Sequence, residues 1–243
     1  MSGHSKWSNI KHKKEKTDAQ KAKVFTKIGK EMAIAIRAGG ADPAVNGKLR
    51  DLIAKAKSLN VPNDNIKRII DKATSADAAN YEEIVYEGYG PSGIAVIVTT
   101  ATDNRNRTAG DVRHFFDKYG GNLGQTGCVS YMFTDTGIIV IENDGSIDEE
   151  ALMDAALEAG ATDFVLSDDV FEISTEPSDL TAVKETLEAA GYTIVSAEED
   201  KIPSSYISLT DEDDIKKMNL LIQTLEEHDD VQDIYHNWEN ADE

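Results

Sequence analysis

The first thirty residues contain a dense group of side chains suited to one chemistry, the binding of phosphate. Lysine ammonium groups neutralise backbone phosphates and release counterions, and tryptophan or histidine rings can stack on an unpaired base. The candidate nucleic-acid-binding residues are Lys6, Trp7, Lys11, His12, Lys13, Lys14, Lys16, Lys21, Lys23, Lys27 and Lys30. The alternative is a solvated tail without a partner, since basic tails are common. Continuation of the lysines along a predicted helix favours binding.

A second candidate site lies in the segment TDNRNRT, residues 102–108, where a predicted strand leads into a predicted helix. Asp103 or Asn104 can cap that helix, and Arg105 and Arg107 lie beside its first amides. Helix N-terminal amides together with arginine form a candidate site for phosphate or another anion. The alternative is a capped helix whose arginines pair with acidic residues of the same protein. Spacing alone leaves both interpretations open.

Other patterns do not indicate catalysis or metal binding. The histidines form no HxxxH pair, and the single cysteine, Cys128, allows neither a CxxC site nor an internal disulfide. The acidic run 211–214 opens a predicted helix, where carboxylates interact favourably with the helix dipole. The glycine-rich turns match neither GxxxxGK[ST] nor GxGxxG. We therefore expect no enzymatic activity, no cofactor and no metal.

Three amphipathic helices are expected to position the basic residues. Residues 17–20 have the spacing of a capping box, and apolar residues then recur at helical intervals until the glycine pair 39–40. Asp42 followed by proline is typical of the start of a second helix, and Pro62 of a third. The first helix carries a lysine stripe, which consists of Lys23, Lys27 and Lys30. We predict a basic helical domain over residues 1–75.

Beyond residue 80 the apolar period changes from 3.6 to 2, which indicates strands. The segment 81–134 reads as ββαβ, with CVSYMF as its last strand, and the segment 204–238 as βαβ, beginning with the strand YISLT. Between them, residues 135–198 read as βαββαβ, the order of a ferredoxin-like unit. We predict that residues 135–198 are inserted and that 81–134 and 204–238 complete one discontinuous α+β domain.

Charge is distributed very unevenly along the 243 residues. Residues 1–75 carry a net charge of +10 and residues 76–243 one of −30. Because salt screens charges beyond about 8 to 10 Å, the basic part can hold a polyanion although the whole chain is acidic. No apolar run approaches the roughly 20 residues that span a bilayer. We expect a cytoplasmic protein without a membrane partner.

Several long segments together resemble the YebC family of probable transcriptional regulatory proteins, whose mitochondrial relatives are translational activators of cytochrome c oxidase. These segments are GHSKWSNIKHKK, VYEGYGPSGIAVIV, TDNRNRTAGDVRHFFDKYGGNLG, CVSYMF followed by GIIVIE, and DIYHNW. The resemblance implies an α+β protein in which an N-terminal three-helix domain is followed by two ferredoxin-like α+β domains, one inserted in the other. It also implies a non-enzymatic role in gene expression.

Family members are described as DNA-binding transcription regulators or as ribosome-associated factors that assist translation of proline-rich stretches. We therefore expect a nucleic-acid-binding regulator whose partner is DNA or ribosomal RNA, with the ribosome as a candidate partner. The third helix offers Asn65, Lys67 and Arg68, a small set for reading bases, which favours structured RNA. The alternative is a ligand-sensing or protein–protein interaction module built on ferredoxin-like domains. In that case, deletion of residues 1–23 would leave the function of the protein intact.

Overall fold

The computed structural model describes residues 18–167 and 169–241. Contacts between residues divide this part of the chain into two units: residues 18–130 together with Ile207–Trp238, and Tyr131–Tyr206 together with residues 239–241. The elements in chain order are α1 (Asp18–Gly39), α2 (Gly47–Ser58), α3 (Asn63–Ala73), β1 (Glu82–Tyr89), β2 (Ala95–Thr102), α4 (Arg105–Lys118), β3 (Asn122–Leu123), β4 (Phe133–Glu142), α5 (Glu149–Ala159), β5 (Asp163–Ser167), β6 (Val170–Thr175), α6 (Leu180–Ala189), β7 (Ile194–Pro203), α7 (Glu212–Glu227) and β8 (Val231–His236).

Helices α1, α2 and α3 pack around one apolar core. Its buried residues include Met32 of α1, Leu49 of α2 and Ile66 of α3. Helix α1 ends at the predicted glycine pair, where Gly40 adopts a positive φ of 85° that favours glycine. Thr17, the first residue of the predicted capping box, lies outside the described residues.

Helix α2 begins four residues later than the Asp42–Pro43 pattern predicts, because Asn46 is its N-cap. The Asn46 Oδ1 accepts a bond from the Leu49 amide at 3.1 Å, while its side-chain amide donates to the carbonyls of Ala35 and Gly40. Asp42 instead accepts from the Ala44 amide within a turn. A buried asparagine that joins the end of α1 to the start of α2 is better satisfied here than an exposed cap would be.

The sheet of the first unit has the strand order β3-β1-β2-β8, with every neighbouring pair antiparallel. Central strand β2 opens with a continuous run of Ala, Val and Ile and is almost wholly buried, as that run predicts. Helices α4 and α7 contribute further buried residues, among them Phe116 and Leu221.

The sheet of the second unit has the order β5-β6-β4-β7, again antiparallel throughout. Alternate residues of β4, Ile139 and Ile141, share a core with Leu152 of α5 and Leu187 of α6. The connection β4–α5–β5 passes over β6, just as β2–α4–β3 passes over β1 in the first unit. The two sheets therefore have the same ferredoxin-like spatial order of strands. They differ in which position of the sheet is occupied by the strand that comes first in the chain. The predicted α+β class is confirmed.

Two predicted strands are absent from the described structure. CVSYMF forms a turn and a 3₁₀ helix, Ser130–Met132, before β4 starts at Phe133. YISLT makes a single bridge, from Ile207 to Trp238. The predicted domain limits of 1–75, 81–134 with 204–238, and 135–198 stay predictions. Within the described ranges, no helix combines the length and apolar character needed to cross a bilayer.

The carboxylate of Glu87 explains why CVSYMF does not pair as a strand. It is 4 % exposed and accepts from the backbone amides of Gly127, Val129 and Ser130 at 2.7, 2.9 and 2.9 Å. These amides are thereby unavailable to a neighbouring strand. Burial alone would raise the pKa of Glu87, but the three amide bonds outweigh burial and lower it.

The substitution Glu87→Gln should destabilise the protein by about 1 to 3 kcal/mol, because an amide nitrogen would then face buried N–H donors. A lowered folded-state pKa stabilises the fold above the unfolded-state pKa, and that stabilisation disappears as pH falls through the folded-state value. Urea unfolding of both proteins should therefore show a gap in stability at pH 7 that narrows below about pH 4. A gap that is constant with pH would contradict this role for the carboxylate.

A substitution at Gly137 of β4 tests how tightly the second unit is packed. A methyl group added there would overlap the Thr175 hydroxyl and lie 2.9 Å from the Leu180 Cβ. We expect Gly137→Ala to destabilise by about 1 to 3 kcal/mol in denaturant unfolding. The control is Gly110→Ala in the middle of α4, where nothing lies within 4 Å of the new methyl group. That change should stabilise by about 0.5 to 1 kcal/mol, and similar losses for both variants would refute the packing argument.

Candidate functional site

The lysine stripe of α1 lies against the C-terminal end of α7. The Lys23 ammonium donates to the backbone carbonyl of Glu227 at 3.1 Å, and the Lys27 ammonium donates to that of Glu226 at 2.9 Å. The last carbonyls of a helix have no partner inside the helix and carry the negative end of its dipole. Cations of α1 therefore satisfy acceptors that α7 leaves open.

Lys30 continues the stripe into the interior. Its ammonium donates to the Asp229 carbonyl at 2.9 Å and to the Asp230 carboxylate at 2.6 Å. The two ion-paired residues are 8 % and 3 % exposed, respectively, and the ring of Tyr81 lies 5.6 Å from the ammonium. A carboxylate and a carbonyl therefore take the place of the water that burial removes from this side chain.

Asp230 is the centre of the hydrogen-bond network. Besides Lys30, its carboxylate accepts from Arg107 at 2.8 Å, from the Thr108 hydroxyl at 2.8 Å and from the Thr102 hydroxyl at 3.2 Å. Burial acts to raise the pKa of Asp230, but the bonds from Arg107, Lys30 and Thr108 outweigh it and hold that pKa well below its usual range. The carboxylate is therefore ionised throughout the physiological pH range.

The turn from β2 into α4 positions the arginine of this network. Asn104 is the N-cap of α4, because its Oδ1 accepts a bond from the Arg107 backbone amide at 3.1 Å. The backbone amide of Asn104 donates to the Thr102 hydroxyl at 2.9 Å. The Arg107 guanidinium bridges Asp230 and Asp103, the latter at 2.9 Å. These bonds raise the pKa of Arg107, with the contribution from Asp230 the largest. Of the two interpretations of this segment, the internal pairing describes Arg107.

Arg105, the other arginine of the candidate anion site, is exposed. Burial raises the pKa of Tyr86, and the positive charge of Arg105 partly opposes that increase. Anion binding by Arg105 and Arg107 stays a prediction, and the structure brings only Arg107 into the Asp230 network.

A cleft of about 620 Å³ opens beside the network. Carboxylates outnumber cations along it, which makes phosphate an unfavourable ligand there. Its charged lining residues are Lys23, Lys30, Arg107, Asp103, Asp111, Glu227, Asp229 and Asp230. His228 also lines the cleft, and its Nε2 lies 3.1 Å from the Asp111 carboxylate.

Most of the predicted nucleic-acid-binding residues lie outside the described part of the chain. They are Lys6, Trp7, Lys11, His12, Lys13, Lys14 and Lys16. Lys21 belongs to α1, but its side chain is likewise not described. The structure therefore places three predicted residues, Lys23, Lys27 and Lys30, all at the end of α7.

Sequence reasoning did not identify Asp230 or the carbonyls at the end of α7 as partners of the lysine stripe. Asp230 stands in an acidic run directly before the apolar start of β8, and this position is the only local signal for its burial. Its partners lie 122 to 200 residues away in sequence, a separation at which local patterns carry no information.

The substitution Asp230→Asn should destabilise the packing of α1 by about 3 kcal/mol or more, because it leaves the buried Lys30 without its counter-charge. Hydrogen exchange should accelerate selectively in the amides of α1. Asp229→Asn is the matched control, since the exposed Asp229 contacts Lys30 through its backbone carbonyl. We expect that control to change stability by less than about 0.5 kcal/mol. Equal effects for the two variants would contradict the importance of the carboxylate.

Comparison with known proteins places the whole chain in one family. A family model described as "TACO1/YebC protein N-terminal domain" matches residues 5–76, and one described as "TACO1/YebC second and third domain" matches residues 81–238. A "Probable transcriptional regulatory protein" of Acetivibrio thermocellus is 59 % identical over 239 residues, which cover 98 % of this chain and 99 % of the relative. A "Probable transcriptional regulatory protein" of Ruminiclostridium cellulolyticum is 57 % identical over 244 residues, which cover 100 % of this chain and 98 % of the relative.

A solved structure shows the same fold. It is the crystal structure of the conserved hypothetical protein Aq1575 from Aquifex aeolicus, which is 44 % identical, with a TM-score of 0.85 and 97 % of each chain covered. Both family models and the full-length relatives agree on the assignment. The chain belongs to the TACO1/YebC family.

Proposed function

We propose that this chain is a non-enzymatic nucleic-acid-binding regulator of gene expression, which grips phosphates with its basic N-terminal arm, residues 1–17, and with α1. The observation that supports this proposal is the division of charge, +10 over residues 1–75 against −30 over residues 76–243. A protein that is acidic elsewhere concentrates its cations in one segment, where they set the local field. The relatives named probable transcriptional regulatory proteins agree with a regulatory role.

The contacts of α1 assign different roles to its lysines within this proposal. Lys30 is buried and committed to Asp230. Lys23 is exposed, and an ammonium group has three N–H donors, so Lys23 keeps donors beyond the one bound to the Glu227 carbonyl, while the acidic cleft that it lines disfavours phosphate on that side. Phosphate binding by α1 is therefore expected near its N-terminal end, next to the arm.

The acidic remainder of the chain limits where a polyanion can bind. Like charges repel phosphates, so the −30 segment should keep non-specific contacts away from the α+β units. The nucleic acid is then directed to the basic segment. DNA in transcription and ribosomal RNA in translation both supply the required phosphates.

Translation is the second candidate role, as a ribosome-associated factor that assists proline-rich stretches. Helix α3 presents Asn65, Lys67 and Arg68, a small set for reading bases in a groove. A protein that holds phosphates with few base contacts suits structured RNA. Co-sedimentation with ribosomes and binding to promoter DNA, compared at equal salt, distinguish the two roles.

Neutralisation of the arm tests the proposal. We expect the triple variant Lys11→Gln, Lys13→Gln, Lys14→Gln to bind duplex DNA and structured RNA more weakly. The slope of log affinity against log salt should become less steep by about 2 to 3, because each lost phosphate contact removes about one released counterion. Fluorescence anisotropy with labelled oligonucleotides over a salt series measures both quantities.

The control changes the same charge within the acidic part of the chain: Lys118→Gln, Lys184→Gln, Lys216→Gln. It should bind like the unmodified protein. If the unmodified protein shows no salt-dependent binding to either nucleic acid, or if both triple variants lose affinity equally, the proposed function is wrong.

A further inference from the structure

Cations of the three-helix region differ in whether the protein itself uses them. Lys23, Lys27 and Lys30 of α1 all bond to groups at or after the end of α7. On α2 and α3, by contrast, five exposed cations have side chains that make no hydrogen bond or ion pair with any other residue of the described chain; they are Arg50, Lys57, Lys67, Arg68 and Lys72. We call these five residues the α2–α3 basic surface.

The positions of these residues on their helices keep them away from the core. Leu49 and Leu52 of α2 and Ile66 of α3 point inward, so the cations occupy the flanks and outer faces. Arg50 and Lys57 are seven residues apart, or about two turns, and share one side of α2; Arg68 and Lys72 are four apart and adjacent on α3.

A short, well-defined connection holds the two helices together. Residues 59–62 link them, with Asn60 at a positive φ of 59° and Val61 buried in the core. The Val61 amide donates to the Ala56 carbonyl at 3.0 Å, which closes the end of α2. Two helices joined by a turn of four residues have the connection length of a helix-turn-helix. The α2–α3 basic surface therefore lies on two helices whose relative position is fixed by a short, ordered connection.

Helix-dipole compensation accounts for only part of this surface. Lys57 and Lys72 lie in the last turns of their helices, where cations are favourable. Arg50 lies in the first turn of α2, the unfavourable end for a cation. Lys67 and Arg68 lie in the middle of α3, so the dipole explains neither. The helix dipole therefore does not account for these three cations.

We propose that the α2–α3 basic surface is a second phosphate-binding surface, which contacts the sugar–phosphate backbone of a nucleic acid and acts together with the N-terminal arm. This inference rests on the proposed function and adds a separate set of residues to it. Over residues 47–73 cations outnumber acids by seven to three, in contrast to the acidic α+β units. Backbone contact sets affinity and orientation, and it does not itself read sequence.

The double variant Lys67→Gln, Arg68→Gln tests the surface in the full-length protein with the arm intact. Binding to duplex DNA and to duplex RNA of the same sequence should weaken. For each type of nucleic acid, the loss of affinity should be the same whatever the base sequence. The salt slope should become less steep by about 2. The matched control is Lys184→Gln, Lys216→Gln, with the same charge change and no expected effect. A larger loss on DNA than on RNA, or the reverse, identifies which backbone the surface holds.

A second variant makes the test independent of misfolding. Asp64 and Asp71 are exposed acids on α3, beside Lys67 and Arg68. Asp64→Asn, Asp71→Asn should increase affinity if phosphates approach this face, and a damaged fold does not produce such a gain. If the unmodified protein binds with an arm-dependent salt slope but neither α3 variant changes that slope or affinity, this inference is overturned while the proposed function stands. Absence of any binding by the unmodified protein removes both.

Discussion

The attachment of α1 to the first sheet depends on one buried carboxylate. Asp230 accepts bonds from Lys30 of α1, from Arg107 and Thr108 of α4, and from Thr102 at the end of β2. A carboxylate that is 3 % exposed is tolerated only where cations and hydroxyls replace its water. The turn before β8 must therefore meet α1, β2 and α4 at one point. The network fixes geometry more certainly than it adds stability, because desolvation offsets much of the attraction.

Periodicity and capping signals predicted the α+β class, the order of the helices and most of the strands, because those features depend on neighbouring residues. The sequence did not predict Asn46 as the cap of α2 or Glu87 as the acceptor of three loop amides. In both places a buried polar side chain binds backbone groups and overrides a local pattern, an outcome that requires knowledge of which residues are buried. The partners of Lys23 and Lys27 were equally beyond reach, since they are backbone carbonyls some 200 residues away.

Positive charge in this protein consequently has two kinds of use. Part of the lysine stripe of α1 serves the fold, where it compensates the end of α7 and the Asp230 carboxylate. The five residues of the α2–α3 basic surface have no such internal task among the described residues and are available to a ligand. A count of basic residues along the chain does not separate these uses, and a phosphate-binding surface is better inferred from unpaired cations than from dense ones.

The chain order of the first unit has a consequence for synthesis. Residues 18–130 leave the ribosome well before α7 and β8, which follow the second unit in the chain. Strand β2 lacks its neighbour β8 until that late stage, and the lysines of α1 lack the carbonyls that they later bind. The nascent protein therefore exposes an α1 helix whose positive charge is less compensated than in the finished protein. It also exposes the edge of β2 that β8 later covers, and its first unit is completed last. Contacts of such long range make closure of that unit a slow, late step of folding.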